Sequence, residues 1–140
     1  MDDEIDDDQT GWAEPDAELD GLARSVMLAA TEVHRQLGAG LDEALYEAAL
    51  TCEMRLRGIP FVRQPIIAVA YKGQEIGEKR LDFIVGHRLV VELKAVENIA
   101  PVHKAQVRTY LKLTRNQLGL LINFNVSLMK EGIRRVIYHE

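Results

Sequence analysis

Three residue types stand where apolar residues should be. Within Leu81-Asp82-Phe83-Ile84-Val85-Gly86-His87-Arg88-Leu89-Val90-Val91-Glu92-Leu93-Lys94, two aspartate/glutamate carboxylates and a lysine interrupt an apolar run. Buried charge costs several kcal/mol per ion unless it is paired or bound to a metal. Residues 79–85 and 88–96 read as two strands joined by a tight turn at Gly86-His87. That hairpin opposes Asp82 to Val91 or Glu92, and either register leaves the two carboxylates a few ångströms apart. Glu92 and Lys94 are two apart and share a sheet face. Hard cations such as Mg²⁺ take oxygen ligands and often use only one or two protein carboxylates. A divalent cation on a phosphodiester polarises the phosphoryl oxygen and lowers the pKa of an attacking water. A lysine beside it orients or deprotonates that water and offsets charge on the phosphate. The competing reading is a Glu–Lys pair on an exposed strand with Asp82 at its rim.

A second set of side chains follows in the chain. Pro101 opens a helix running to about Leu113, with proline in its favoured first-turn position. His103, Gln106, Val107, Tyr110 and Thr114 project within about a 100° arc of it. Gln106 is placed to hold a phosphate or the attacking water, and Tyr110 to stack on a base or bond a phosphate. Lys104, Arg108 and Lys112 repeat on the adjacent face, with Arg115 beside them, as a stripe that tracks a phosphate backbone or a plain solvated face. Glu43 lies in the first turn of an earlier helix, where a carboxylate suits the helix dipole. It becomes a third metal-facing acid if that helix packs over the hairpin. Tyr46, Glu47 and Leu50 share its side.

The elements that must position these residues read as follows. A helix from about Asp20, capped by Asp20 or Gly21, carries Leu22, Val26, Ala29, Ala30, Val33 and Leu37 and breaks at Gly38-Ala39-Gly40. A second helix spans 41–57, with Leu45, Ala49, Cys52 and Leu56 giving much of its buried side, and stops at Gly58 and Pro60. Residues 61–71 form a strand, irregular or at an edge near Pro60 and Pro65, followed by a turn over residues 72–75. Short strands over 118–124 and 133–138 complete the order helix, helix, three strands, helix, strand, strand. This is an α/β pattern with a central mixed sheet of about five strands flanked by helices.

Composition bounds the rest. The 140 residues suit one domain with its own core. Residues 1–20 carry ten of the 22 acids and none of the 17 basic residues, so the remaining chain has a net charge of +5 despite the overall −5. Residues 1–19 read as a disordered acidic tail containing Trp12, and residues 20–140 as the domain. A mildly basic domain fits a polyanionic partner. The single cysteine, Cys52, excludes an internal disulfide and a multi-cysteine zinc site, and reads as a small core residue. No apolar run spans a membrane and the N-terminus has no secretory pattern, so the expected compartment is the cytoplasm. Phosphate-cradling glycine loops and triad-like contexts for Ser25 and Ser127 are missing.

Several ordered blocks resemble one family. Gly40-Leu41-Asp42-Glu43-Ala44-Leu45-Tyr46 is similar to the signature of the GxxExxY proteins of the PD-(D/E)xK nuclease superfamily. The likeness runs on through Arg57-Gly58-Ile59-Pro60-Phe61, Asp82, Glu92-Leu93-Lys94-Ala95-Val96, His103-Lys104-Ala105-Gln106, Tyr110-Leu111 and Gly119-Leu120-Leu121-Ile122-Asn123-Phe124, covering roughly residues 22–138. The resemblance implies a restriction-endonuclease-like core. It implies that Asp82 and Glu92, with the Leu93 carbonyl, ligate Mg²⁺ or Mn²⁺, that Lys94 is the catalytic lysine, and that Glu43 is the extra acid of the early helix. Gln106-x-x-x-Tyr110 is similar to the motif of the RecB-like exonuclease branch. Leu81 stands where the superfamily name has proline. The resemblance points to nucleic acid as partner, DNA before RNA. The alternative is a non-catalytic nucleic-acid-binding or protein-interaction module on the same fold. A homodimer would bring two sites to a duplex.

Overall fold

The computed structural model of the chain describes residues 4–6 and 14–139. Its first strand, β1 (Glu4–Asp6), lies within the expected disordered tail; the other residues of that tail before Glu14, Trp12 among them, lie outside the described residues. Helix α1 (Ala17–Leu37) begins ahead of the expected Asp20. Its cap is Asp16 rather than Asp20 or Gly21, because Asp16 is extended and its carboxylate accepts the Leu19 N–H at 2.9 Å. Asp42 caps α2 (Glu43–Leu56) in the same way, through the Leu45 N–H at 3.1 Å.

The expected strand over 61–71 is two strands in two sheets. After β2 (Phe61–Arg63), Gln64 adopts a left-handed conformation (φ 55°) before Pro65, and the chain leaves the main sheet. It then forms β3 (Ile66–Tyr71), which pairs antiparallel with β4 (Gln74–Arg80) across a Lys72-Gly73 turn. The expected 79–85 arm is likewise divided. β4 ends at Arg80, Leu81 and Asp82 cross between the sheets, and β5 (Phe83–Val85) rejoins the main one. Gly86 and His87 (φ 58° and 64°) form the tight turn into β6 (Leu89–Lys94). Helix α3 (Pro101–Thr114) crosses over to β7 (Leu118–Asn123), which lies parallel to β6. A one-turn α4 (Met129–Gly132), not anticipated from sequence, leads into β8 (Ile133–Ile137).

The main sheet runs β1-β8-β7-β6-β5-β2; its last five strands are the expected mixed sheet. One face packs on α1 and α2 through Val26, Ala30, Tyr46, Leu50, Phe83, Val91 and Phe124. The other packs on α3 through Val90, Val107, Tyr110, Leu111, Leu121 and Val136. α2 turns a different side inward than its apolar spacing indicates. Tyr46, Glu47, Leu50, Thr51 and Met54 are buried, whereas Leu45 and Leu56 are 51% and 77% exposed and Cys52 is a surface thiol. α2 carries apolar residues around most of its circumference, so packing against Phe124 and the sheet, not periodicity, selects the buried face. Among the described residues, no helix is long and apolar enough to cross a membrane.

Candidate metal and nucleic-acid site

β5 and β6 pair with Phe83 opposite Val91. Extending that register sets Asp82 against Glu92, the second of the two registers open from sequence. The two residues then lock each other through the backbone. The Asp82 N–H donates to Glu92 Oε2 at 2.6 Å, and the Leu93 N–H donates to Asp82 Oδ2 at 2.7 Å. Val90 belongs to the α3-side core, so strand alternation puts Glu92 and Lys94 on that same side. Glu92 is buried and Lys94 half-buried.

Burial and mutual repulsion govern the electrostatics. Desolvation raises the Glu92 carboxyl to about 8, with the charge of Asp82 adding to it and Lys94 opposing it. Desolvation raises Asp82 to about 6, partly offset by the Leu93 N–H. Without a cation, this pair holds protons that isolated carboxylic acids would have released. Each carboxylate gives one oxygen to a backbone N–H, and hard oxygen donors converging in a desolvated place fit a divalent cation. Among the described residues, no three His, Cys, Asp or Glu side chains group closely enough to hold an ion by themselves.

The other expected residues lie on α2, α3 and β6. Glu43 is exposed at the start of α2; its charge reaches both carboxylates, from the rim. Tyr110 is buried on α3, and its hydroxyl is raised by burial and by the charges of Glu92 and Asp82. Gln106 lies one turn earlier on α3 and is half-buried. His103 caps its own helix: its Nδ1 accepts the Ala100 N–H at 3.0 Å, which leaves Nε2 as the ring's other polar atom. Lys104 and Arg108 are half-buried and already engaged in interactions, whereas Lys112 and Arg115 are exposed. Leu93 sits between the acid and the lysine with its side chain in the α1/α2 core.

Tyr46 has a structural part in the Gly40-to-Tyr46 segment. Its hydroxyl donates to the Gly38 carbonyl at 2.6 Å and accepts the Leu41 N–H at 3.2 Å, and its ring stacks on Phe124 at 4.5 Å. It thereby fixes the loop that delivers Glu43. Asn123 does the same for the far end of β6, where its amide oxygen accepts the Val96 N–H and its NH₂ donates to the Val96 carbonyl. Glu47 is the residue sequence reasoning missed. It is buried, and its charge helps to raise the Asp82 carboxyl. A carboxylate inside the Tyr46-Leu50 stripe was its visible signal.

A family model of the PD-(D/E)XK nuclease superfamily matches residues 20–136, which include Glu43, Asp82, Glu92, Lys94, Gln106 and Tyr110. No curated protein and no solved structure gives a significant match.

Proposed function

The chain belongs to the PD-(D/E)XK nuclease superfamily, and from that premise we propose that it is a Mg²⁺- or Mn²⁺-dependent nuclease hydrolysing phosphodiester bonds, of DNA before RNA. One observation carries the reading: a buried and a half-buried carboxylate held together by hydrogen bonds from the Asp82 and Leu93 backbone N–H groups, both protonated more readily than their types alone would allow. Holding both carboxylates ionised at such close quarters costs stability, and a divalent cation resolves the repulsion. Asp82 and Glu92 hold the cation, with the Leu93 carbonyl as the backbone ligand that the GxxExxY resemblance implies. When bound, the cation polarises a phosphoryl oxygen and acidifies a water. Lys94 orients the attacking water and offsets charge building on the phosphoryl group. Gln106 and Tyr110 grip the phosphate or stack on a base, Lys104 and Arg108 steer the backbone, and His103 borders the entry at the start of α3. Glu43 adds negative charge at the rim, which strengthens cation binding. The proposed setting is cytoplasmic.

A binding-only module is the second reading, favoured by the small size of the chain and the modest net charge of +5 that residues 21–140 carry. Labelled single- and double-stranded DNA and RNA, incubated with Mg²⁺ or Mn²⁺, separate the two. The nuclease reading expects shortened products that Asp82→Ala abolishes. Salt-dependent binding without any product supports the module instead.

A further inference from the structure

Besides Glu43 at the rim, α2 carries a second, buried acid, Glu47, whose charge acts on Asp82. Glu47 Oε2 accepts two hydrogen bonds, from Arg63 Nε at 2.8 Å and from Gln64 Nε2 at 2.8 Å. Arg63 ends β2, and Gln64 is the left-handed residue at which the chain leaves the main sheet. A non-glycine residue in that region is uncommon and needs surrounding contacts to hold it. Those contacts run to the site. The Gln64 N–H donates to the Asp82 carbonyl at 2.7 Å, and the Pro65 carbonyl accepts the Leu81 N–H at 3.0 Å. Gln64 therefore grips the Asp82 backbone with its own backbone and Glu47 with its side chain. Glu47 is thus joined to Asp82 through Gln64, and the charge of the anchored carboxylate helps to raise the Asp82 carboxyl.

We infer that Glu47, fixed by Arg63 and Gln64, is a positioning residue that sets the orientation of the Asp82 carboxylate for a divalent cation shared with Glu92. The inference rests on the metal-site reading above. Glu47 is assigned to positioning rather than ligation because its charge is already paired with the Arg63 guanidinium. The plainer role for the same contacts is an ion pair that ties α2 to the sheet edge. That role affects stability and leaves cation affinity unchanged.

The test is calorimetric Mn²⁺ titration of the wild type, Glu47→Ala, Glu47→Gln and Gln64→Gly, with melting temperatures measured on the same samples. Groups that orient a metal ligand typically contribute about 10–100-fold in affinity. Glu47→Ala is expected to weaken Mn²⁺ binding by about ten-fold or more. Glu47→Gln still accepts from Arg63 and Gln64, so it recovers most of that loss. Gln64→Gly keeps the left-handed backbone and the N–H to Asp82 and removes only the anchoring amide. Gln64 is exposed, so this variant folds and decides the matter even if Glu47→Ala does not. It is expected to weaken Mn²⁺ binding at unchanged melting temperature. Wild-type affinity in both Glu47→Ala and Gln64→Gly overturns the inference and leaves the metal site standing. A wild type that takes up no Mn²⁺ overturns the metal site and the inference together.

Discussion

Asp82 and Glu92 couple stability to pH in an unusual direction for carboxylates. Both have folded-state pKa values above the ordinary range, so the native protein keeps protons that the unfolded chain releases. Stability from that source is fully present at acid pH and is lost as pH rises through about 6 and then about 8. The metal-free protein should therefore lose melting temperature between about pH 5 and 8, by more than the roughly 4 °C that 1 kcal/mol produces at this size. Glu92→Gln should flatten the dependence. Added Mn²⁺ should raise the melting temperature most at the alkaline end, because binding displaces the protons. A wild-type profile that rises with pH over this range, or one that Glu92→Gln leaves unaltered, contradicts the electrostatics. At this scale the sequence was informative where a charge interrupts an apolar run, as at Asp82, Glu92 and Lys94. Glu47 escaped because its partners, Arg63 and Gln64, meet it only after the chain turns out of the main sheet.

Among the elements, the β5–β6 hairpin was legible and the helix faces were not. Gly86-His87 marks a turn whose two central residues are left-handed, and the register follows. The division at Gln64 was signalled only by Pro65, and a left-handed glutamine leaves no mark in sequence. The hairpin turn is also where α1 approaches the sheet. A Cβ on Gly86 would lie 2.7 Å from Leu22 Cδ1, at a φ of +58°. Gly86→Ala should cost about 1–2 kcal/mol from backbone conformation, plus the displacement of Leu22. In urea unfolding the midpoint falls while the m-value stays constant. His87→Gly at the neighbouring left-handed position carries no such penalty. Equal midpoints for Gly86→Ala and wild type would show that the turn does not constrain the hairpin. Arg88 adds a bidentate pair to Asp16 at 3.0 and 2.9 Å, but its exposure makes it a minor contributor.

For the whole molecule, element order was enough to foresee a mixed sheet between helices, because β6, α3 and β7 form a parallel pair with its crossover. It did not reveal that β3 and β4 form a separate two-stranded sheet, since local pattern cannot distinguish which sheet a strand joins. The layering sets out the elements of the proposed site. α3 covers the face carrying Glu92 and Lys94, α2 brings Glu47 and Glu43 from the other side, and the Leu81-Asp82 crossing supplies the second acid. Steering by Lys104 and Arg108, with Lys112 and Arg115 further along α3, would make substrate affinity fall with salt. The most direct measurement is the rate of cleavage of a labelled DNA duplex and its single strands against Mn²⁺ concentration, for wild type, Asp82→Ala and Lys94→Ala. The metal site predicts saturable, Mn²⁺-dependent cleavage by the wild type. It predicts a loss of at least about a hundred-fold in each variant, the scale of removing one transition-state group, with oligonucleotide binding by Lys94→Ala retained. Cleavage by Asp82→Ala at the wild-type rate, or none by the wild type at any Mn²⁺ concentration, contradicts it.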